Sequence, residues 1–148
     1  MKRILLAITA GLISTSATYA AGDVAAGEKA FRKCKSCHSI VDPEGAVIVK
    51  GGKVGPNLWG VVGRTAGTVD GFKYSASLVA AGEGGLVWSE DEIVKWLGDP
   101  KAYLREILDD SSAKSKMTFK LRKGGEDVAA YLASLAPAPD AEAETPSE

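Results

Sequence analysis

Apolar positions recur at helical spacing in three separate segments of the chain. In the first segment, which Asp23 can cap, four residues lie three or four positions apart and share one face: Val24, Gly27, Phe31 and Cys34. This pattern predicts a helix that runs to about Lys35. Glycine inside a helix costs about 1 kcal/mol relative to alanine, so Gly27 predicts that another helix crosses closely at this point. A chance glycine in a surface helix is the alternative.

The second and third segments predict two further helices. The sequence Ser-Glu-Asp-Glu at positions 89–92 is a capping box. It opens a helix that stops before Pro100 and carries four apolar residues: Ile93, Val94, Trp96 and Leu97. Glu126 and Asp127 begin the last helix, and its apolar face is made of Val128, Tyr131, Leu132 and Leu135. We expect that face to pack against Gly27 and Phe31.

Glycine and proline interrupt the segments between these helices. Residues 39–55 are irregular, and the apolar run 46–49 predicts at most one strand of a small hairpin. Residues 63–81 and 101–123 predict long loops. Directly after the first irregular segment, the sequence Gly-Pro-Asn-Leu-Trp-Gly at positions 55–60 predicts a rigid turn.

The two ends of the chain differ from its centre. Residues 1–20 have the composition of a secretory signal peptide, with Lys2 and Arg3 before a mostly apolar run and small residues up to Ala20. A membrane anchor is the alternative, although the apolar run is short for a span. Residues 137–148 are rich in Ala, Pro and Glu without apolar periodicity. The sequence predicts a cleaved signal peptide at 1–20, one domain at 21–136 and an acidic disordered tail at 137–148.

Charge is concentrated in that tail. The full chain carries 18 basic and 19 acidic residues. The tail holds four of the acids, Asp140, Glu142, Glu144 and Glu148. Residues 21–136 are therefore nearly neutral.

The clearest chemical signal is the sequence Cys-Lys-Ser-Cys-His at positions 34–38. It matches the attachment pattern of a c-type haem. Each thiol can add to one vinyl group, and His38, the only histidine in the chain, follows in place to bind the iron. A bare C-x-x-C also occurs in thioredoxin-like redox pairs and in zinc sites. However, a zinc site needs about four protein ligands, and this chain offers only two cysteines and one histidine. A thioredoxin-like pair needs a βαβ setting, and no strand-rich segment precedes Cys34.

A haem site needs a second axial ligand and groups that support the cofactor. Met117 is the only methionine besides the initiator. A lone methionine usually fills a core, but without a second histidine it is the predicted sixth ligand. The carbonyl of Pro56 is suited to accept the imidazole N–H. Arg64, Tyr74 and Trp88 offer donors for haem propionates, although core packing explains Tyr74 and Trp88 equally well.

Taken in order, these motifs make residues 22–136 resemble a class I cytochrome c, and within it the bacterial cytochrome c2 subgroup. The resemblance implies an all-α fold in which the N- and C-terminal helices cross. A third main helix and long loops would surround one haem, bound covalently through Cys34 and Cys37. It implies His38 and Met117 as iron ligands, and it assigns haem-binding roles to Pro56, Arg64, Tyr74, Trp88 and Ser115.

Three features depart from or refine the family pattern. Ser115 stands where the family has a threonine that binds a propionate, and Phe119 corresponds to the aromatic residue at the exposed haem edge. Trp96 stands where many members carry a tyrosine near the methionine sulfur. Residues 42–53 and 105–113 are longer than in the shortest members, as in the larger bacterial subgroup.

The implied function is a periplasmic one-electron carrier, monomeric and without enzymatic activity or nucleic-acid binding. Its donor would be a quinol-oxidising cytochrome bc complex, and its acceptor a reaction centre, a terminal oxidase or a denitrification reductase. A positive patch for docking is predicted from Lys33, Lys35, Lys114, Lys116 and Lys120; an ordinary solvated surface is the alternative. Two rival functions remain open: a haem peroxidase or gas-binding protein with an open iron position, and an interaction module with a Cys34–Cys37 disulfide.

Overall fold

The structure, a computed structural model, describes residues 22–135 of the chain. The predicted signal peptide at 1–20 and acidic tail at 137–148 lie outside these residues, so both remain predictions. None of the helices within residues 22–135 combines the length and the apolar character needed to cross a membrane.

The described part of the chain is helical, with a single small hairpin. The elements, in chain order, are α1 (Val24–Phe31), β1 (Ile40–Val41), β2 (Val47–Val49), α2 (Ala76–Glu83), α3 (Glu90–Gly98), α4 (Pro100–Ile107) and α5 (Gly125–Ala133). The predicted helical fold class is confirmed. The apolar run at 46–49 does find a partner, because β2 pairs antiparallel with β1 across an irregular register.

Helices α1 and α5 cross at Gly27, as the sequence predicts. A Cβ atom at Gly27 would lie 1.9 Å from the carbonyl oxygen of Asp127, so only glycine lets the two backbones approach this closely. The rings of Phe31 and Tyr131 meet beside the crossing, with centroids 5.6 Å apart. The Asp23 backbone N–H donates to the Asp127 carboxylate at 2.9 Å, which ties the start of α1 to α5.

Helix α1 ends at Phe31, earlier than the predicted end near Lys35. Helix-like turns nevertheless continue through the cysteine motif. The backbone N–H of Cys34 donates to Phe31 at 2.8 Å, and that of His38 donates to Cys34 at 2.9 Å. The two cysteines therefore occupy successive helical turns, and His38 follows on the same coil.

Helix α3 begins as predicted, with the Ser89 hydroxyl accepting from the Glu92 backbone N–H at 3.2 Å. The prediction of one long loop over residues 101–123 is wrong in its first part, because α4 occupies Pro100–Ile107. Helix α3 ends at Gly98, before Pro100, as the sequence predicts. Pro100 is also the first residue of α4, where the missing proline N–H has no helical partner to lose, and Asp99 caps this helix.

Helix α2 also lies partly within a segment that was predicted to be a loop, residues 63–81. Ser75 caps it by accepting from the Leu78 backbone N–H at 3.3 Å. Its sequence, Ala-Ser-Leu-Val-Ala-Ala-Gly-Glu, is almost uniformly small or apolar. It therefore lacks the contrast between apolar and polar faces that identifies a surface helix in a sequence.

Candidate haem site

A cavity of about 350 Å³ opens between the cysteine motif and the segment around Met117. Its volume falls in the range of small-molecule and cofactor pockets, about 300–1,000 Å³. Apolar side chains from α1, α3 and α5 form much of its wall, among them Phe31, Leu97 and Val128. All nine residues predicted to bind the cofactor line this one cavity: Cys34, Cys37, His38, Pro56, Arg64, Tyr74, Trp88, Ser115 and Met117.

The imidazole of His38 is held in one orientation by the Pro56 turn. Its Nδ1 lies 2.9 Å from the carbonyl oxygen of Pro56, so Nδ1 donates its proton there and Nε2 is left with a free lone pair. Burial lowers the pKa of His38, and the bond to Pro56 opposes this only partly. The neutral imidazole, which is the form that binds a metal, is therefore favoured.

Glycines pack directly against the cysteine motif and leave no room for side chains. A Cβ atom at Gly55 would lie 2.3 Å from Cε1 and 2.5 Å from Nδ1 of His38. A Cβ atom at Gly51 would lie 1.8 Å from the His38 carbonyl oxygen, and one at Gly52 would lie 2.2 Å from that of Ser36. The sequence predicts Gly55 only as part of a turn and does not show this contact.

Asn57 fixes the Pro56 turn to β1, a role that the sequence analysis also missed. Its Oδ1 accepts from the Val41 backbone N–H at 3.0 Å, and its Nδ2 donates to the Val41 carbonyl at 2.7 Å. The same Oδ1 accepts from the Trp59 N–H at 3.2 Å. The signal available in the sequence was the asparagine after Gly-Pro, a residue whose side chain commonly bonds neighbouring backbone.

The two cysteines line the cavity wall and are not joined in a disulfide. Cys34 is buried, whereas Cys37 is partly exposed. Burial, with a smaller effect of Cys37, raises the pKa of the Cys34 thiol to about 11. Within residues 22–135, no three side chains of His, Cys, Asp or Glu converge as a zinc site would require.

The sulfur of Met117 receives a hydrogen bond from Trp96. The indole Nε1 lies 3.1 Å from Sδ. Many family members have a tyrosine at this position, and the tryptophan provides an N–H donor in its place. The sequence could not settle this point, because it does not show where the indole points.

The segment that carries Met117 is fastened on both sides. The Ser115 hydroxyl accepts from the Met117 N–H at 3.1 Å and donates to the Met117 carbonyl at 2.9 Å. On one side, the Lys114 N–H donates to the Ser77 hydroxyl of α2 at 3.0 Å. On the other, the Leu121 N–H donates to the carbonyl of Leu97 in α3 at 2.7 Å. Helices α2 and α3 thus hold the position of the thioether.

Arg64 brings a guanidinium to the cavity wall near Tyr74 and Trp88. Its Nη1 donates to the Trp59 carbonyl at 2.9 Å and its Nη2 to that of Asn57 at 3.1 Å. Because a guanidinium has five N–H donors, Arg64 keeps donors for a further acceptor. Burial lowers the pKa of Arg64, and the neighbouring Tyr74 opposes that shift. A bound anion would offset the cost of burying this cation.

These residues fit a covalently attached haem. Two thiols lie one helical turn apart, followed by a neutral imidazole with a free Nε2, and a thioether belongs to the same cavity. The remaining wall is apolar apart from a few donors, as a porphyrin with two carboxylates requires. The donor set matches the haem ligation types that combine histidine with methionine.

Comparison with known proteins identifies close relatives over nearly the whole chain. The chain is 60% identical over 135 residues to cytochrome c-551 of Roseobacter denitrificans, covering 91% of this chain and 96% of the relative. It is 58% identical over 135 residues to cytochrome c2 of Rhodobacter capsulatus, covering 91% and 98%. The scan of protein-family models gave no match.

Solved structures of bacterial cytochromes c are also similar to this chain. The structure of cytochrome c2 from Rhodobacter capsulatus superposes with a TM-score of 0.76 at 63% identity, covering 76% of this chain and 97% of the other. That of ferric cytochrome c-550 from Paracoccus versutus gives 0.77 at 52% identity, covering 78% and 99%. Such proteins carry one covalent haem c, and Cys34 and Cys37 are the two cysteines that hold it here. The chain therefore belongs to the bacterial cytochrome c2 group of class I cytochromes c.

Proposed function

We propose that this protein is a periplasmic one-electron carrier whose haem iron is bound by His38 and Met117. The observation that carries the proposal is the single cavity shared by both cysteines, the only histidine and the sulfur of Met117. A haem bound there supplies reversible Fe(III)/Fe(II) chemistry, and a thioether ligand favours the ferrous state.

Hydrogen bonds within the chain orient the two ligands, His38 and Met117. The Pro56 carbonyl selects the His38 tautomer that leaves Nε2 available. The Ser115 hydroxyl and the α2 and α3 contacts hold the Met117 segment, and Trp96 orients the sulfur. Ligands that stay in place in both oxidation states require little rearrangement, which suits a carrier better than an enzyme with an open iron position.

The propionates would lie among the donor groups of the cavity lining. Arg64, Tyr74 and Trp88 line the cavity, and each has such a group. Ser115 lines it as well, but its hydroxyl hydrogen is directed to the Met117 carbonyl. We therefore assign the main charge compensation to Arg64, with Ser115 acting first on the methionine segment.

Docking would use exposed cations around the cavity mouth. Lys33, Lys116 and Phe119 line the cavity, and all three are exposed. Lys35 and Lys114 are also exposed. Lys120, by contrast, is paired with Asp99 at 2.5 Å, which reduces its contribution to a positive patch.

The proposed redox partners follow from the positive charge of this surface. A positive rim steers encounter with acidic surfaces and gives small, short-lived complexes. We propose a quinol-oxidising cytochrome bc complex as donor. The acceptor would be a reaction centre, a terminal oxidase or a denitrification reductase.

The ligation is tested with the ferric holoprotein. We expect the charge-transfer absorption of a thioether–iron bond in the natural protein and its loss in Met117→Ala. Thr118→Ala, in the next position of the same cavity wall, should keep the band. A band that is absent from the natural protein, together with binding of added peroxide or gas to the iron, would favour the enzymatic alternative.

The carrier role is tested by kinetics. Reduction by a purified cytochrome bc complex should be fast and should slow by about tenfold or more as salt screens the lysine rim. A rate that does not depend on ionic strength would rule out the docking surface. A holoprotein that no such complex reduces would contradict the carrier role.

A further inference from the structure

Behind the Met117 side of the cavity lies a cluster of three aromatic rings from α3, α4 and the segment before α3. Trp88 and Trp96 line the cavity, whereas Tyr103 does not. Tyr103 is only 4% exposed. Its ring meets that of Trp96 edge-on, with centroids 6.1 Å apart and planes at 87°, and lies nearly parallel to that of Trp88 at 6.3 Å.

The far end of Tyr103 is anchored by a charged group. Its hydroxyl donates to Oε2 of Glu92, and Oε1 of the same carboxylate accepts from the Lys95 ammonium at 2.8 Å. Hydrogen bonds from Lys95 and Tyr103 hold the pKa of Glu92 below its ordinary value. The carboxylate is therefore ionised at neutral pH and acts only as an acceptor, so it fixes the direction of the phenol O–H.

The need for such an anchor follows from the chemistry of the indole. Trp96 has a single N–H donor and no acceptor. Its bond to the Met117 sulfur exists only while the whole ring keeps one orientation. Trp96 is partly exposed, so the cavity alone does not enclose it. The edge-to-face contacts with Tyr103 and Trp88 restrain its ring.

We infer that Tyr103, anchored by Glu92, is a positioning residue that holds the Trp96 N–H on the Met117 sulfur. The inference rests on the proposed function, because it concerns Met117 as the iron ligand. A hydrogen bond to a coordinating sulfur withdraws electron density from it, which favours the ferrous state. Glu92 and Tyr103 would thereby stabilise the ferrous state of the iron without contacting the haem.

The test uses the full holoprotein and two graded variants. Tyr103→Phe keeps the ring but removes the anchored hydroxyl. Glu92→Gln keeps an acceptor but removes the charge that strengthens the bond. Tyr131→Phe is the matched control, since Tyr131 is also buried, at 7% exposure against 4% for Tyr103, but packs against Phe31 in the α1–α5 crossing.

Two readouts separate positioning from ordinary core packing. The first is hydrogen exchange of the Trp96 indole N–H, followed by NMR in the ferrous protein. The second is the ferrous-to-ferric ratio against a reference redox couple. We expect Tyr103→Phe to speed the exchange about tenfold, the size of one hydrogen bond, and to lower the ratio severalfold. Glu92→Gln should fall between it and the natural protein, and Tyr131→Phe should leave both readouts unchanged.

Two outcomes would overturn the inference, and they are distinguishable. If the natural protein lacks the thioether–iron band, the proposed function fails and this inference fails with it. If the band is present but Tyr103→Phe behaves like Tyr131→Phe in exchange and redox ratio, the inference fails alone. A loss of unfolding stability without a change in either readout would mean that Tyr103 only packs the core.

Discussion

The contact between Gly55 and His38 offers a sharp test of how the chain prepares its histidine. Replacing Gly55 by alanine would put a Cβ atom 2.3 Å from Cε1, 2.5 Å from Nδ1 and 2.7 Å from Nε2 of the imidazole. Gly55 is not among the glycines with positive φ, so backbone strain does not contribute. The whole effect comes from the collision with the ring.

The size of that effect follows from the distances. Relief requires the ring or the turn to move by roughly 1 Å before ordinary contact distance is reached. Such overpacking costs about 1–3 kcal/mol. The movement also stretches the 2.9 Å bond between Nδ1 and Pro56 beyond hydrogen-bond range, at about 1 kcal/mol more. We expect Gly55→Ala to lower the free energy of unfolding by about 2–4 kcal/mol.

The assay is urea unfolding of the ferric holoprotein, followed together with the haem spectrum. Gly98→Ala in α3 is the control, because among the described residues only its chain neighbours and the backbone of its own helix can lie within 4 Å of the added Cβ. That control should change stability by less than about 1 kcal/mol, with any gain reflecting helix propensity. If Gly55→Ala unfolds with the same midpoint as Gly98→Ala and keeps an unchanged haem spectrum, the close packing of the imidazole is refuted.

Three further predictions concern the crossing, the docking surface and acid stability. Gly27→Ala should destabilise the protein in urea by about 2 kcal/mol or more, because its Cβ would lie 1.9 Å from the Asp127 carbonyl oxygen; a neutral result would contradict the close crossing. Lys33→Gln should slow reduction by a cytochrome bc complex more than Lys120→Gln, because Lys120 is already paired with a carboxylate; equal effects would refute this. Hydrogen bonds from Lys95 and Tyr103 hold the folded pKa of Glu92 below its ordinary value of 4.5. The ionised carboxylate therefore stabilises the folded state above that pH, and this stabilisation is lost as the pH falls through the folded pKa. In Glu92→Gln the free energy of unfolding, measured across the same acid range, should not show this loss.

The sequence predicts the parts of the fold that local chemistry specifies. The capping box before α3, the close crossing at Gly27 and the cysteine motif each have a distinct residue pattern. The structure confirms the crossing at Gly27 and the Ser89 cap of α3. The Glu92 carboxylate does not complete the box, because it bonds Lys95 and Tyr103 instead. The cysteine motif lies at the cavity wall.

The remaining features depend on context that residue patterns do not carry. Pro100 follows the end of α3 and also begins α4, and the second helix depends on the Asp99 carboxylate accepting from the Ala102 N–H. Helix α2 lacks a polar face, so its periodicity is weak. The contact between Gly55 and His38 joins residues far apart in the chain, and only the folded backbone shows it. The sequence likewise does not show that Tyr103 packs against Trp96 outside the cavity lining.

The central claim is that one imidazole and one thioether from this chain bind the iron together. X-ray absorption at the iron edge of the ferric holoprotein tests it most directly. We predict a single sulfur neighbour beside the nitrogen neighbours, and we predict that this sulfur disappears in Met117→Ala. An iron without a sulfur neighbour in the natural protein, or one whose sulfur persists after Met117 is removed, would contradict the account.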